Sequence, residues 1–518
     1  MTHSLHDAGS PTPGPPWLHA GHGLPQGAHI VATDFAHLTT LRTGDTPAAT
    51  VACTTPEAVA AVVRDLDAAG RDVLVVGGGS NLVVGEDVGG LVVVLVTTGD
   101  DARLTGADAP APGDPAGGDV TVDRGFQTVN SWYPAVKEVL KPGEYSSLGI
   151  RSFLPAVQCV TPDGLAMFGD PVRAPQLVPT LLRSRIRAAL SARDAFHLQR
   201  WLGREVRHRS SLEVRPVTDR TVDRDRAVGD SLDARRITGD TRRYVINPVL
   251  EALLMDPAFE TSERLARWEI VAVLRGALGL PDNGMSELAV ALGRIPGVGI
   301  DLHSPVAGLE QDDDGVTLRV ADADGTADRT LRCRYAVVAT EQAHTARLLG
   351  LPVQPARGMT TWWFLADGAA GDGASTTGRT TDGGRLPVIT VDGSDRTQLT
   401  SVAEVTAVVP SYAPGRSLVQ ASVVHREGVA CPDDRTVRDQ AASLLGGTAA
   451  SWELVTRHDC PRAVPVVPPG RRFHCGDADV THGRRVVLAG DHTASPSIDG
   501  ALRSGQRAAR IVTGLLGA

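Results

Sequence analysis

The segment 484–516, RRVVLAGDHTASPSIDGALRSGQRAARIVTGLL, constrains the fold of this chain more than any other stretch. Val486, Val487 and Leu488 predict a short buried strand, Gly490 permits close backbone approach, and Asp491 stands at the strand's carboxyl end. Open α/β sheets place their ligands at that end. Ser497 is a good helix N-cap, and Ala501, Ala508, Val512 and Leu515 recur at helical spacing, so a helix is expected to begin there and pack on the sheet. Its free N–H groups and positive dipole end would face the same ligand. Asp491 suits the hydroxyls of a ribityl or ribose chain, and the amides near Ile498 and Asp499 suit negative charge. An ordinary capped C-terminal helix accounts for the same residues, so the local pattern leaves both readings open.

Composition narrows the classes. With 518 residues and 42% hydrophobic content the chain can bury a large core, enough for two to four domains. No apolar run approaches a membrane span and the N-terminus lacks the basic-then-apolar order of a secretory signal, which predicts a cytoplasmic protein without an integral membrane segment. Six scattered cysteines without a C-x-x-C pair argue against a zinc ribbon or an iron–sulfur site. A net charge of −9 gives no footprint for nucleic acid, and the arginines clustered between Arg183 and Arg243 read as a solvated helical face. Lys137 and Lys141 are the sole lysines, while Arg, Ala, Gly and Asp abound, the mark of GC-rich, bacterial coding bias.

The chain changes character along its length. Residues 1–28 are rich in Pro, Gly and His without apolar periodicity and read as a disordered arm; His3, His6, His19 and His22 are too irregularly spaced to predict a metal site. Residues 29–98 alternate strand, helix and strand: Thr55, Pro56 and Gly70 punctuate a helix, and DVLVVGGG and GGLVVVLV read as buried strands. Residues 99–118 are mostly Gly, Ala, Pro and Asp, a linker. Residues 119–518 are expected to form one large α/β domain with an inserted helical section at about 150–270.

The C-terminal motif VVLAGDHTASPSIDGALRSGQRAA resembles the closing FAD motif of the flavin amine oxidase and phytoene desaturase superfamily. VDRGFQTVNSWYP (122–134), GLPDNGMSELAVAL (279–292), HSPVAGLEQDDDGVTLRV (303–320), YAVVAT (335–340) and VVPSYAPGRSLVQASV (408–423) are similar to further segments of that group, in its order. The resemblance implies an FAD domain in which Val306 offers its backbone to the adenine, Gly490 and Asp491 meet the pyrophosphate and ribityl chain, and Ser497, Ile498, Asp499, Gly500 and Ala501 meet the isoalloxazine ring. The superfamily's opening G-x-G-x-x-G turn is absent: VVGGGSNLVV supplies Gly77 and Gly79, but Leu82 stands at the third glycine and another apolar strand follows.

Residues 29–97 resemble a different flavoprotein, the start of UDP-N-acetylenolpyruvoylglucosamine reductase, through HLTTLRTGDTPA, the helix after Thr55, VLVVGGGSNLVV and GGLVVVLV. In that resemblance Gly77, Gly78, Gly79, Ser80 and Asn81 hold the FAD pyrophosphate in a nest of backbone amides, within a small α/β segment of PCMH-type FAD domain character. Asp45 departs from the second glycine usual after TLRTG, and no sequel to that family follows residue 97.

These readings predict an FAD-dependent oxidoreductase of the amine oxidase and desaturase type, moving hydride from a C–N or C–C bond of a small, lipophilic substrate to flavin. The absence of lysine after Lys141 disfavours amine oxidation through a lysine-held water, and no catalytic acid or base can be named. Two alternatives stand beside it: a truncated cell-wall precursor reductase and an inactive fusion that binds no flavin.

Overall fold

Alternation of Val, Ile, Ala and Thr with polar turns builds the sheets of this chain, seen in a computed structural model. The structure describes residues 28–34, 47–53, 56–68, 73–76 and 92–96, then residues 120–517 apart from 185–190, 204, 216–217, 294–299, 301–303, 322–326, 367–385 and 474–475. The chain divides into two compact units, 1–117 with 297–303 and 118–296 with 304–518.

In the first unit the strands Ala28–Asp34, Pro47–Cys53, Val73–Val76 and Val92–Val96 form one sheet, with the fourth lying between the second and third. The first pair is antiparallel and the others parallel. Helix Pro56–Ala68 buries Ala58, Val62 and Leu66, spaced four apart on one face, against Val51 and Cys53. The arm 1–27, Thr55, Gly70, the nest Gly77 to Asn81 and the linker 99–118 lie outside the described residues.

The second unit is built on a seven-stranded sheet. Its spatial order is Glu453–Pro465, Ala356–Ala366, Ser417–Val424, Ser401–Glu404, Ile389–Asp392, Ala156–Thr161 and Gly164–Gly169. Only the pairing of Ile389–Asp392 with Ala156–Thr161 is parallel. Every residue of Ser417–Val424 is buried because both faces are covered. Trp362 and Trp363, adjacent in sequence, point to opposite faces: the first joins Val437 and Ala441 of helix Asp434–Leu444, the second joins Val405 and Tyr412. The section 150–270 therefore opens with a hairpin of this sheet, and helices such as Val178–Arg183, Ala192–Leu202 and Asn247–Leu254 follow it.

A smaller sheet places the C-terminal segment. Ala336–Val338 pairs in parallel with Val486–Leu488, whose other neighbour is the short antiparallel strand Thr481–His482. Helix Ile498–Leu516 covers Val480, Val487 and Ala489 with Ala508 and Ile511. Of the apolar stripe expected through Ala501, Ala508, Val512 and Leu515, Ala508 and Val512 pack on the sheet, whereas Ala501 and Leu515 are exposed. The buried face runs through Gly500, Ser504, Ala508 and Ile511, the first three small enough to let the helix approach closely, while Leu515 is exposed. No helix of the described residues is long and apolar enough to cross a membrane.

Candidate functional site

Strand Val486–Leu488 delivers the chain to a turn that only glycine can make. Gly490 has φ +128, and a Cβ there would come within 2.7 Å of the His492 ring. Its N–H donates to Ser504 Oγ at 2.8 Å, tying the strand's end to the C-terminal helix. Asp491 and its neighbours form the 3-10 turn Asp491–Thr493, closed by the Thr493 N–H on the Gly490 carbonyl at 3.0 Å. The His492 ring is buried, and neither ring nitrogen has a hydrogen-bond partner among the described residues. Burial, then the nearby Arg471 cation, holds its pKa below the ordinary histidine value, so the ring is neutral. Leaving such a ring unpaired is costly, and a polar ligand at this turn would relieve the cost.

The helix start is built as its sequence predicts. Ser497 Oγ accepts from the Gly500 N–H at 3.0 Å and the Ser497 carbonyl accepts from the Ala501 N–H at 2.9 Å. The amides of Ile498 and Asp499 remain as donors at the mouth of the helix. A Cβ on Gly500 would lie 2.1 Å from the Ser495 carbonyl oxygen, a backbone atom that cannot swing aside. Gly500→Ala is expected to lower unfolding stability by about 2–3 kcal/mol, read by urea titration; an unchanged midpoint would show that this turn is loose.

Asp499 does not face outward. It is fully buried and accepts from the Ala135 N–H at 2.7 Å, across to the start of helix Pro134–Val139. Around it lies an acidic layer that sequence reading missed. Glu213 accepts from the Ser495 N–H at 2.7 Å. Glu269 has its pKa pushed up to about 8, first by burial and then by the charges of Asp499 and Glu213. Burial likewise raises Asp499. Tyr133, stacked on Trp268 at 5.9 Å between ring centres, is driven well above the usual phenol range by burial, Glu269 and Asp499. The signal was present in ERLARWEIVAVLR, where Glu269 sits between Trp268 and Ile270 on the helix's buried face.

A second convergence was also missed. Asp123 accepts from the Met285 N–H at 2.8 Å and from the Tyr412 hydroxyl at 2.9 Å, and its carbonyl accepts from Trp363 Nε1 at 3.1 Å. One carboxylate thus joins the segments 122–134, 279–292 and 408–423. Desolvation raises its pKa against these bonds, and Tyr412 is pushed far above the phenol range by burial and by Asp123. Asp123→Ala is expected to cost about 2–4 kcal/mol and Tyr412→Phe about 1–2, measured by chemical unfolding. Equal small losses in both would remove Asp123 from its central place.

Of the residues singled out in sequence, Gly490, Asp491 and Ser497 to Ala501 come together within one strand, turn and helix start. Val306 begins the separate antiparallel strand Val306–Gln311, with a register irregularity between Val306 and Gly308. No hydrogen bond among the described residues joins Val306 to the C-terminal turn. Among the described residues no group of three His, Cys, Asp or Glu is placed to hold a metal ion.

Known proteins divide along the same line. Residues 112–365 match the family described as flavin containing amine oxidoreductase, and residues 47–102 match an FAD binding domain family. Both are flavin-binding families. The UDP-N-acetylenolpyruvoylglucosamine reductase of Corynebacterium jeikeium is 48% identical over 101 residues, covering 19% of this chain and 23% of the relative. Its counterpart in Mycobacterium tuberculosis is 41% identical over 93 residues, covering 16% and 25%. The chain therefore spans about a quarter of the length of these curated relatives. Among solved structures, a wild-type putrescine oxidase bound to putrescine superposes with a TM-score of 0.52 at 14% identity, covering 77% of this chain and 91% of that one. A fatty acid isomerase from P. acnes gives 0.51 at 10% identity, with 76% and 87% covered. The fold is that of the flavin amine oxidases, preceded by a segment akin to the reductase's N-terminal part.

Proposed function

We propose that this chain is an FAD-dependent oxidoreductase of the amine oxidase and desaturase type that oxidises a C–N or C–C bond of a lipophilic small molecule, taking hydride from a carbon of that bond. The observation that carries the reading is the turn at Gly490 to Thr493, where a buried His492 ring, without a hydrogen-bond partner among the described residues, lies beside Asp491 at a strand's carboxyl end. A ligand bearing hydroxyls and phosphate oxygens satisfies both groups, and FAD bears both.

The fit to FAD is good at this end. Asp491 would accept from a ribityl hydroxyl, neutral His492 would donate to a phosphate oxygen, and the amides of Ile498 and Asp499 would face the ring's electron-rich edge. The bound flavin would supply the hydride acceptor. Ser497 and Gly500 keep the helix mouth open to it, while Asp499, turned inward to Ala135, holds the helix start in position. Lys137 and Lys141 both lie in the segment 134–147, so this reading gives no lysine a part in the chemistry and favours an apolar substrate over an amine. The N-terminal nest at Gly77 to Asn81 remains the second candidate holder of the pyrophosphate.

The test is direct. The purified chain is expected to carry flavin colour, and under anaerobic conditions unsaturated or isoprenoid-like lipids should bleach it while putrescine does not. Bleaching by putrescine alone would overturn the substrate class, and a colourless protein that takes up no added FAD would favour the inactive-fusion alternative. NADPH oxidation dependent on UDP-N-acetylenolpyruvoylglucosamine is not expected, because the chain contains only about a quarter of the reductase relatives. Steady turnover of that substrate would restore the truncated-reductase reading.

A further inference from the structure

A cleft on the seven-stranded sheet holds a nucleophile that the flavin reading leaves unused. Its volume is about 310 Å³, within the range of small-molecule sites, and Val423, Val424, Val429, Ala430 and Pro432 give it an apolar wall. Strand register builds the polar side. Thr360 stands directly across from Asp459 on strand Glu453–Pro465, and His425 follows the end of strand Ser417–Val424, fixed by its N–H donating to the Gly358 carbonyl at 2.9 Å. Thr360 shares a face with Trp362, two residues on, and helix Asp434–Leu444 covers that face. The loop 425–433, which leads into this helix, brings Cys431 to the Thr360 hydroxyl.

That hydroxyl is the hub of a four-residue cluster. Thr360 Oγ1 lies 2.8 Å from His425 Nε2 and 2.9 Å from Asp459 Oδ1, and accepts from the Cys431 thiol at 3.6 Å. His425 Nε2 is 3.2 Å from the same Asp459 oxygen. Thr360 is buried, whereas Cys431 is the one exposed cysteine among the described residues. Burial pushes the thiols of Cys53, Cys159, Cys333 and Cys460 above the ordinary range. A thiol becomes a nucleophile by losing its proton, and here a path for the proton exists. It passes from Sγ to Thr360 Oγ1, while the hydroxyl's own proton moves to His425 Nε2, beside the Asp459 carboxylate that stabilises the imidazolium. Gln398, Arg426 and Arg457 add amide and guanidinium donors to the lining, suited to carbonyl or carboxylate oxygens of an entering molecule.

We propose that Cys431 is a site of reversible S-thiolation, taking one half of a low-molecular-weight organic disulfide into this cleft, with Thr360, His425 and Asp459 placed to remove the thiol proton. The step balances without a further reagent. Sγ attacks one sulfur of the disulfide, the new S–S bond forms as the old one breaks, and the leaving thiolate takes the proton from the His425 imidazolium. Cys431 is oxidised to the mixed disulfide, and the small disulfide is reduced to one thiol. The proposal does not depend on flavin binding.

Glutathione disulfide, added to the reduced full chain, serves as the probe. Peptide mass mapping is expected to find one glutathionyl group on Cys431, removable by dithiothreitol, before any other cysteine reacts. At pH 7 His425→Gln and Thr360→Val should slow this labelling about tenfold or more, while Thr360→Ser keeps it near the parent rate. Above the ordinary thiol pKa of about 8.5 the loss should shrink, because the thiol then ionises unaided. A purely structural role for these residues would give no such pH dependence. Should a variant misfold, the order in which cysteines react in the parent protein remains a complete test. Labelling that falls first on another cysteine would overturn the proposal, as would equal rates at pH 7 in the parent, His425→Gln and Thr360→Val proteins.

Discussion

Asp491→Ala is expected to lower flavin retention about tenfold to a hundredfold, the cost of one hydrogen bond to a charged group at about 1.5–3 kcal/mol. The effect should be confined to binding. The Asp491 side chain is partly exposed and lies 4.0 Å from His492, its nearest ionisable neighbour in the turn, so the protein without flavin should unfold at the same denaturant concentration as its parent. Equilibrium dialysis or the flavin content of purified protein reads the first quantity, and urea titration the second. The paired experiment replaces Ser80 and Asn81 by alanine. If the C-terminal turn holds the cofactor, that variant keeps its flavin; if the N-terminal nest holds it, the two results exchange places. Equal retention by both variants would remove both assignments.

Glu269→Gln should change how stability responds to pH, because Glu269 sits buried with its pKa raised to about 8. In the unfolded chain its carboxyl has the ordinary value of about 4.3. Between those values the native state holds a proton that the unfolded chain has released, so this group's contribution is lost as pH rises from about 4.5 to 8. At roughly 1.4 kcal/mol per unit of separation the swing is on the order of 3–5 kcal/mol. The glutamine variant should match the parent near pH 5 and exceed it by a few kcal/mol near pH 8, in unfolding titrations at both values. Asp499, also raised by burial, keeps some slope in the variant. Curves that run parallel across this range would mean that Glu269 is solvated in the native protein.

The strand, turn and capped helix at the C-terminus were legible because each signal is local: an apolar triplet, a glycine, a serine three residues before the amide it caps. Helix Pro56–Ala68 was legible for the same reason, and the division between two flavoprotein resemblances followed from the order of short motifs. Tertiary structure alone decided the rest. Asp123 meets Met285 and Tyr412 across 162 and 289 residues of chain, and Asp499 reaches Ala135 across 364, distances over which no periodicity carries information. The packed face of the last helix took in Gly500 and Ser504 beside Ala508 and Ile511, small side chains that permit close approach and that a hydrophobic pattern passes over. Spacing marks which residues of one helix share a face, but whether Leu182 or Phe196 ends up against the core or against solvent depends on what the rest of the chain brings beside it.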